Sequence, residues 1–227
     1  MIPRPPNPLV IALDVSDLAE AERLAAALAP HSGMLKVGLE LCWAHGPDVV
    51  RRIGAHAPVF VDAKLHDIPN TVERAAANIA QLGVAMLNVH ALGGDAMMRA
   101  ALEGAARGAD RGGHEMPAVV AVTVLSSMAG EDLASPTSLA FEAREAGLDG
   151  VVVSGHDVRV VREVCGDAFC LVVPGIRPAG ANGDDQVRVL TPSAALDAGA
   201  DYLVVGRPIT SAADPAAVAK GIALGAR

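Results

Sequence analysis

The chain has 227 residues, a formal net charge of −8 and 52% hydrophobic residues, but only one Trp, one Tyr and three Phe. This hydrophobic content excludes intrinsic disorder, and the acidic balance disfavours nucleic-acid partners, because binding to phosphates needs clusters of Lys and Arg. The length suits one large α/β domain. We expect a single domain over residues 1–227, with residues 1–8 as a proline-rich N-terminal extension.

Eight short apolar segments follow one another along the chain and predict eight β-strands. They begin near Leu9, Met34, Pro58, Ala85, Pro117, Gly150, Cys170 and Tyr202. Their hydrophobicity is nearly continuous instead of alternating, which is typical of parallel strands covered on both faces.

Alanine-rich amphipathic segments separate these strands and predict eight helices. The predicted helices span Leu18–Leu28, Asp48–His56, Thr71–Leu82, Asp95–Arg107, Leu139–Ala146, Val158–Val164, Pro192–Ala198 and Pro215–Leu224. Eight strand–helix units in a chain of this length favour a single (β/α)8 TIM barrel. A doubly wound open sheet is the main alternative, but no G-x-G-x-x-G motif follows the first strand.

The cysteines and the N-terminal residues indicate a reduced, cytoplasmic protein. Cys42, Cys165 and Cys170 are odd in number and lack C-x-x-C spacing, which argues against a disulfide framework or a zinc site. Neither a signal-peptide pattern nor a run of eighteen apolar residues is present, so we expect no membrane partner. We expect Cys42 and Trp43 to lie in the core behind the second strand.

Charged side chains stand at the ends of the first three predicted strands. Asp14 ends the first, Lys36 lies on the second, and Asp62 and Lys64 lie two residues apart on the third, so both should project from one face. The active sites of TIM barrels lie at the C-terminal ends of their strands. Because buried ion pairs rarely stabilise a fold relative to apolar packing, we interpret these four residues as a functional array instead of a structural salt bridge.

Two arginines follow the seventh and eighth predicted strands and suggest a phosphate site. Arg177 and Arg207 come after Gly175 and Gly206, which would allow close approach of an anion to the backbone. The glycine-rich residues 178–185 suit a mobile lid over such a site, although an ordinary surface loop would have a similar composition.

The motif D-A-K-L-H-D-I-P-N-T at residues 62–71 resembles that of the orotidine 5′-phosphate decarboxylases. The resemblance extends over nearly the whole chain, including residues 35–41, 172–180 and 205–210. It implies decarboxylation of orotidine 5′-phosphate to uridine 5′-phosphate in de novo pyrimidine biosynthesis, without a cofactor or a metal, by a homodimer with shared active sites.

The resemblance also implies roles for individual residues. Lys36, Asp62, Lys64 and Asp67 would be catalytic, with Lys64 supplying the proton and Asp62 lying against the substrate carboxylate. Substrate contacts would come from Asp14, Lys36, Asp62, Ile68, Thr71, Ser126, Pro174, Arg177, Gln186, Gly206 and Arg207. Of these, Asp14 and Lys36 would bind ribose hydroxyls, and Ser126 would bind the pyrimidine amide. Gln186, Gly206 and Arg207 would hold the phosphate. Asp67, Ile68 and Thr71 would reach into the neighbouring subunit's site.

Two other functions remain open at this point. One is a magnesium-dependent sugar-phosphate decarboxylase or aldolase of the same superfamily, although such relatives carry a glutamate metal ligand where Lys36 stands here. The other is a non-catalytic barrel that binds a phosphate-bearing ligand, which would bind nucleotide without releasing carbon dioxide.

Overall fold

The computed structural model describes residues 5–124, 135–177 and 190–225, and eight parallel strands close into a barrel in chain order. The strands are β1 (Leu9–Ala12), β2 (Met34–Gly38), β3 (Val59–Leu65), β4 (Met86–His90), β5 (Ala118–Val122), β6 (Gly150–Val152), β7 (Cys170–Val173) and β8 (Tyr202–Val205). β1 pairs with both β2 and β8. The predicted TIM barrel is therefore confirmed, and the open sheet is wrong.

Helices cover the outside of this barrel. They are α1 (Leu18–Leu28), α2 (Leu39–His45), α3 (Asp48–Gly54), α4 (Pro69–Ala80), α5 (Gly94–Gly112), α6 (Pro136–Glu145), α7 (Val158–Cys165), α8 (Pro192–Asp197), α9 (Arg207–Thr210) and α10 (Pro215–Gly225). Asp17 caps α1 by accepting from the N–H of Glu20. Several helices begin with proline, whose fixed φ and missing N–H suit the first helical position.

The sequence did not predict α2 or α9, and its placement of Trp43 in the core is wrong. β2 passes directly into α2 at Gly38, so the apolar residues of the strand and the helix form one unbroken run. Trp43 on α2 is 85% exposed, whereas Cys42 is partly buried against the core as expected. Helical rotation by about 100° per residue places these neighbours on different faces of α2.

Apolar side chains fill the lower part of the barrel interior. At corresponding positions each strand has one residue of this interior cluster that we assign to an inner layer, namely Ala12, Met34, Phe60, Met86, Val120, Val152, Val172 and Val204. Val10, Ala118, Cys170 and Tyr202, which come two residues earlier on their strands, belong to the same cluster. Side chains alternate between the two faces of a strand, so the residue two positions further along each strand faces the same interior. Those next positions form the base of the candidate site.

The helices α4 and α5 pack with their backbones in contact. A Cβ atom at Gly104 or Gly108 would overlap the carbonyl groups of Glu73 and Ala77 on α4. Glycine is therefore required at these positions of α5 for the close approach. The contact fixes α4, which begins directly after the loop that contains Asp67.

A buried ion pair ties α7 to the N-terminal ends of β7 and β8. The guanidinium of Arg162 donates to the Asp201 carboxylate, at 2.6 Å, and to the carbonyls of Gly166, Phe169 and Gly199. Asp201 is 8% exposed and also accepts from the N–H of Leu171. We call Arg162, Asp201 and these carbonyls the basal cluster.

The end of the predicted N-terminal extension also joins the N-terminal side of the barrel. Asn7 Nδ2 donates to the carbonyl of His31 at 2.9 Å, and Asn7 Oδ1 accepts from the N–H of Leu9 at 3.0 Å. The carbonyl of Pro8 accepts from the N–H of Leu203. Among the helices that the structure describes, none is long and apolar enough to cross a membrane.

Candidate active site

A cavity of about 300 Å³ opens at the C-terminal ends of the strands. Its base is the ring of positions that lie two residues beyond the inner layer, which we call the floor ring: Asp14, Lys36, Asp62, Asn88, Val122, Ser154, Pro174 and Gly206. The strands β1–β4 supply three charged side chains and one amide, whereas β5–β8 supply Val122, Ser154, Pro174 and Gly206. The polar half of the ring is therefore contiguous.

The four charged residues predicted from the sequence form an alternating chain of charges in this half. Lys36 Nζ lies 3.0 Å from Asp14 Oδ1 and 3.1 Å from Asp62 Oδ2. Lys64 Nζ lies 2.6 Å from Asp62 Oδ1. The side chain of Lys36 is 9% exposed and that of Lys64 is 33% exposed. We call these four residues the charge array. The exposed fraction of its lysine side chains increases from Lys36 to Lys64.

The electrostatic balance keeps the buried members of the charge array ionised. Burial alone would lower the pKa of Lys36, but the carboxylates of Asp62 and Asp14 outweigh burial and raise the pKa. Burial would raise the pKa of Asp62, but Lys36, Lys64 and the hydrogen bond from Asn88 lower it. Each buried charge is thus stabilised by an opposite one.

Lys64 reaches Asp62 because strand β3 is irregular at this point. The β3–β4 pairing shifts register between Val61 and Leu65, and Lys64 has a φ of 48°, in the left-handed region. Simple strand alternation, on which the sequence prediction relied, is therefore not how Lys64 comes to face the cavity. A bulge of this kind re-aims a side chain.

The side chain of Asn88 on β4 supports this bulge. Asn88 Nδ2 donates to Asp62 Oδ1 and Asn88 Oδ1 accepts from the N–H of Lys64, both at 2.7 Å. The sequence analysis assigned Asn88 no role. Its position between Leu87 and Val89, in the middle of an otherwise apolar stretch of β4, was the available signal.

The predicted phosphate ligands lie at the cavity on the side of β7 and β8. Pro174, Arg177, Gly206 and Arg207 all line it. Arg177 is buried, and Arg207 is exposed at the first position of α9. Ser126, Gln186 and the predicted lid at 178–185 lie outside the described residues.

The predicted trans-acting residues do not line the cavity of their own chain. Asp67, Ile68 and Thr71 are exposed around the start of α4. Asp67 Oδ1 accepts from the N–H of Ile68 at 2.7 Å. This loop is therefore available on the surface, at the end of the barrel where the cavity opens.

Two histidines stand beside the charge array. The rings of His66 and His90 have centroids 5.4 Å apart. Burial, together with the neighbouring His66 and Lys64, lowers the pKa of His90 and favours its neutral form.

The carboxylates at the cavity already have cationic partners. Asp14 and Asp62 each contact Lys36, so an ammonium group occupies the place between them where a divalent cation would bind. In the described ranges, no group of three or more His, Cys, Asp or Glu side chains is arranged to hold a metal ion.

Comparison with known proteins gives matches along most of the chain. Residues 7–222 match the family described as Orotidine 5′-phosphate decarboxylase / HUMPS family. The orotidine 5′-phosphate decarboxylase of Moorella thermoacetica is 49% identical, covering 95% of this chain and 90% of its own. That of Anaeromyxobacter dehalogenans is also 49% identical, covering 98% and 99%.

A solved structure shows the same fold. The crystal structure of orotidine 5′-phosphate decarboxylase from Lactobacillus acidophilus superposes with a TM-score of 0.85 at 36% identity, covering 97% of this chain and 99% of its own. The family match includes all eight strands, the charge array and both cavity arginines. The chain therefore belongs to the orotidine 5′-phosphate decarboxylase / HUMPS family.

Proposed function

We propose that this protein decarboxylates orotidine 5′-phosphate to uridine 5′-phosphate in de novo pyrimidine biosynthesis, with Lys64 as the proton donor and without a cofactor or metal. The observation that carries the proposal is the charge array at the floor of the cavity, in a chain of this family.

The chemistry requires a cation beside the reacting carbon. The bond between C6 of the pyrimidine and its carboxylate breaks, carbon dioxide leaves, and the electron pair stays on C6 in the plane of the ring. The ring π-system cannot delocalise this pair. The ammonium of Lys64 stabilises the developing charge and then transfers a proton to C6.

Several fixed charges must act together in this reaction. At 4 Å and an effective dielectric constant of about 20, one charge pair is worth roughly 4 kcal/mol. Lys36 contacts both Asp14 and Asp62. Three donors, namely Lys36, Asn88 and Lys64 itself, hold the Asp62 carboxylate in place. Such preorganisation avoids rearrangement of charges during the reaction.

The two halves of the cavity suit the two ends of this substrate. The pyrimidine and its carboxylate would lie over the charge array, with the ribose hydroxyls at Asp14 and Lys36. The phosphate would lie at Arg207, beside Gly206 and Arg177, on the β7–β8 side. Ser126 would contact the pyrimidine amide, and Gln186 the phosphate.

Two copies of the chain would form a homodimer with shared active sites. Asp67 and Thr71 are exposed beside the cavity opening, and three large apolar side chains are exposed after β2, β3 and β4, namely Leu39, Ile68 and Leu92. Exposed apolar side chains grouped in this way are typical of a protein interface. The chain would work in the reducing cytoplasm, where its three cysteines stay free thiols.

An absorbance assay with purified protein and orotidine 5′-phosphate, with and without EDTA, tests the reaction. We expect conversion to uridine 5′-phosphate at equal rates in both. Loss of activity in EDTA and recovery with magnesium would favour the sugar-phosphate enzymes. Tight binding without release of carbon dioxide would favour a binding protein.

Mixing two inactive variants tests the shared site. Lys64→Ala and Asp67→Ala subunits should regain activity together, because each mixed dimer has one site that is wild type at both positions. At equal amounts about a quarter of all sites would be restored. Proven subunit exchange without any recovery would place Asp67 in the site of its own subunit.

A further inference from the structure

Asn88 takes the place of a missing backbone partner in the β3–β4 pairing. Phe60 and Val61 pair with Met86 and Leu87, and the pairing resumes only at Leu65 with Val89. The three residues 62–64 therefore lie opposite Asn88 alone. The N–H of Lys64 donates to the Asn88 side chain, at 2.7 Å, instead of to a strand carbonyl.

The side-chain amide of Asn88 contacts both Asp62 and Lys64. Its oxygen holds the backbone of Lys64, and its NH₂ holds the carboxylate oxygen of Asp62 that the Lys64 ammonium also contacts. Asn88 is 1% exposed, so water does not compete for these hydrogen bonds. The two contacts fix both ends of the Lys64 side chain relative to the cavity.

The backbone of Lys64 needs this support. Among the residues that the structure describes, Lys64 is the one non-glycine residue with a positive φ. A left-handed conformation at a lysine persists only where surrounding contacts hold it. Without the Asn88 acceptor, the buried N–H would be unsatisfied and the segment could return to regular strand geometry, which would redirect the ammonium.

An amide is also the group that fits the charge balance. Asp14, Lys36, Asp62 and Lys64 contribute two negative and two positive charges. Asparagine adds a donor and an acceptor without disturbing that balance, whereas a carboxylate would face Asp62 Oδ1 with a like charge and an apolar side chain would offer neither contact.

We propose that Asn88 is a positioning residue of the decarboxylation, which holds Lys64 and Asp62 in the geometry for proton transfer. This inference rests on the proposed role of Lys64. It predicts that changes at Asn88 act on the chemical step and leave substrate binding largely intact.

The first test is Asn88→Leu, which has a similar volume and makes neither hydrogen bond. A misplacement of about 1 Å can cost about 10²-fold in rate, and we expect kcat to fall by about that factor. The KM for orotidine 5′-phosphate should change by less than about threefold, since uniform binding is kept. The matched control is Thr123→Val, directly after β5, which removes the hydrogen bond of an equally buried side chain to the carbonyl of Val152, away from the charge array.

The second test is the pH profile of Asn88→Asp, which applies even if the leucine variant does not fold. The introduced carboxyl keeps an acceptor for the Lys64 N–H but faces Asp62 Oδ1, with Lys64 and Lys36 beyond and His90 on its own strand. Two carboxylates in contact cannot both ionise readily, which raises the pKa of the pair. Its protonated form restores a donor to Asp62. Relative to wild type, kcat should therefore recover as the pH falls.

The outcomes separate this inference from the proposed function. Asn88→Leu with a kcat near wild type, a fall in kcat matched by Thr123→Val, or a pH profile of Asn88→Asp parallel to wild type would each overturn the role of Asn88. In that case wild type would still decarboxylate orotidine 5′-phosphate and Lys64→Ala would not. A wild-type protein that leaves this substrate unchanged would overturn the proposed function as well.

Discussion

The barrel carries a cluster of buried charge at each end, and the two clusters differ in how completely their hydrogen-bond donors are used. In the basal cluster the Arg162 guanidinium makes five hydrogen bonds, to carbonyls and to Asp201. These match its five N–H groups. In the charge array, by contrast, Lys64 has one acceptor among the described residues, Asp62, for an ammonium with three N–H groups.

The number of unused hydrogen-bond donors distinguishes a structural cluster from a catalytic one better than the exposed fraction of the side chains does. Lys36 and Arg162 have side chains that are almost equally buried, at 9% and 10% exposed. A saturated cluster can only hold the elements that surround it. A cluster with donors left for a ligand, beside a cavity, can act on that ligand. We therefore expect mutations in the charge array to reduce activity and mutations in the basal cluster to reduce stability.

The largest effect should come from Lys64→Ala. Loss of both proton donation and charge stabilisation should lower kcat by at least about 10⁴-fold. The free energy of unfolding should stay within about 1 kcal/mol of wild type, because Asp62 keeps Lys36 and Asn88 as partners. Steady-state kinetics and urea unfolding measure the two quantities. Substantial turnover by the folded variant would refute the assignment of Lys64.

Arg162→Met should show the opposite behaviour. It removes the guanidinium that pairs with the buried Asp201 carboxylate. Breaking a buried ion pair typically costs about 3–5 kcal/mol, so we expect a loss of about 4 kcal/mol in the free energy of unfolding, measured in urea. The kcat/KM of the folded protein should stay within about twofold of wild type, because the cluster lies at the far end of the barrel.

The double variant Arg162→Met/Asp201→Asn is the control for that measurement. It replaces the Asp201 carboxylate with a neutral amide that can still accept from the N–H of Leu171, so part of the lost stability should return. A large loss of kcat/KM in either variant, with stability unchanged, would reverse the distinction between the two clusters.

Arg207→Ala sharpens the comparison, since this arginine borders the cavity instead of the barrel base. A charge-assisted hydrogen bond is worth about 1.5–3 kcal/mol, which corresponds to at least about a tenfold loss in kcat/KM. The wild type and the variant should react at nearly equal rates with orotidine that lacks the phosphate. An equal loss with that substrate would show that Arg207 supports the fold or the pyrimidine site.

The smallest effect concerns pH. The folded-state pKa of His90 is lowered, so its contribution to stability is present above the unfolded value of about 6.5 and is lost as the pH falls through the folded value. Because His90 is only half-buried, solvent screening should keep this change below about 1 kcal/mol. His90→Gln should flatten the pH dependence of urea unfolding between neutral and mildly acidic pH. An unchanged dependence would show that another group is responsible.

The order of the strands and the residues of the charge array could be predicted from the sequence, because both follow from local patterns. Apolar runs of strand length recur eight times, and Asp62 and Lys64 stand out within one of them. Helix ends were less accurate. α5 continues to Gly112, beyond the predicted Arg107, and Gly108 within this continuation packs against the backbone of α4.

The supporting contacts could not be predicted, because they depend on registers between distant segments. Asp62 and Asn88 are 26 positions apart in the chain, and Arg162 and Asp201 are 39 apart. The left-handed backbone of Lys64 arises only once β3 and β4 are paired with a shifted register. No property of the lysine or its neighbours in the sequence indicates it.

The two layers of the barrel interior also bear on how such proteins diversify. The inner layer, from Ala12 to Val204, completes the packing of the barrel, and the floor ring lies one side-chain layer nearer the opening. A substitution in the floor ring can introduce a new functional group on any one of the eight strands, while the residues of the inner layer stay unchanged. Reactions can then diverge one position at a time on a conserved scaffold, which gives a structural reason why one barrel architecture hosts unrelated chemistries.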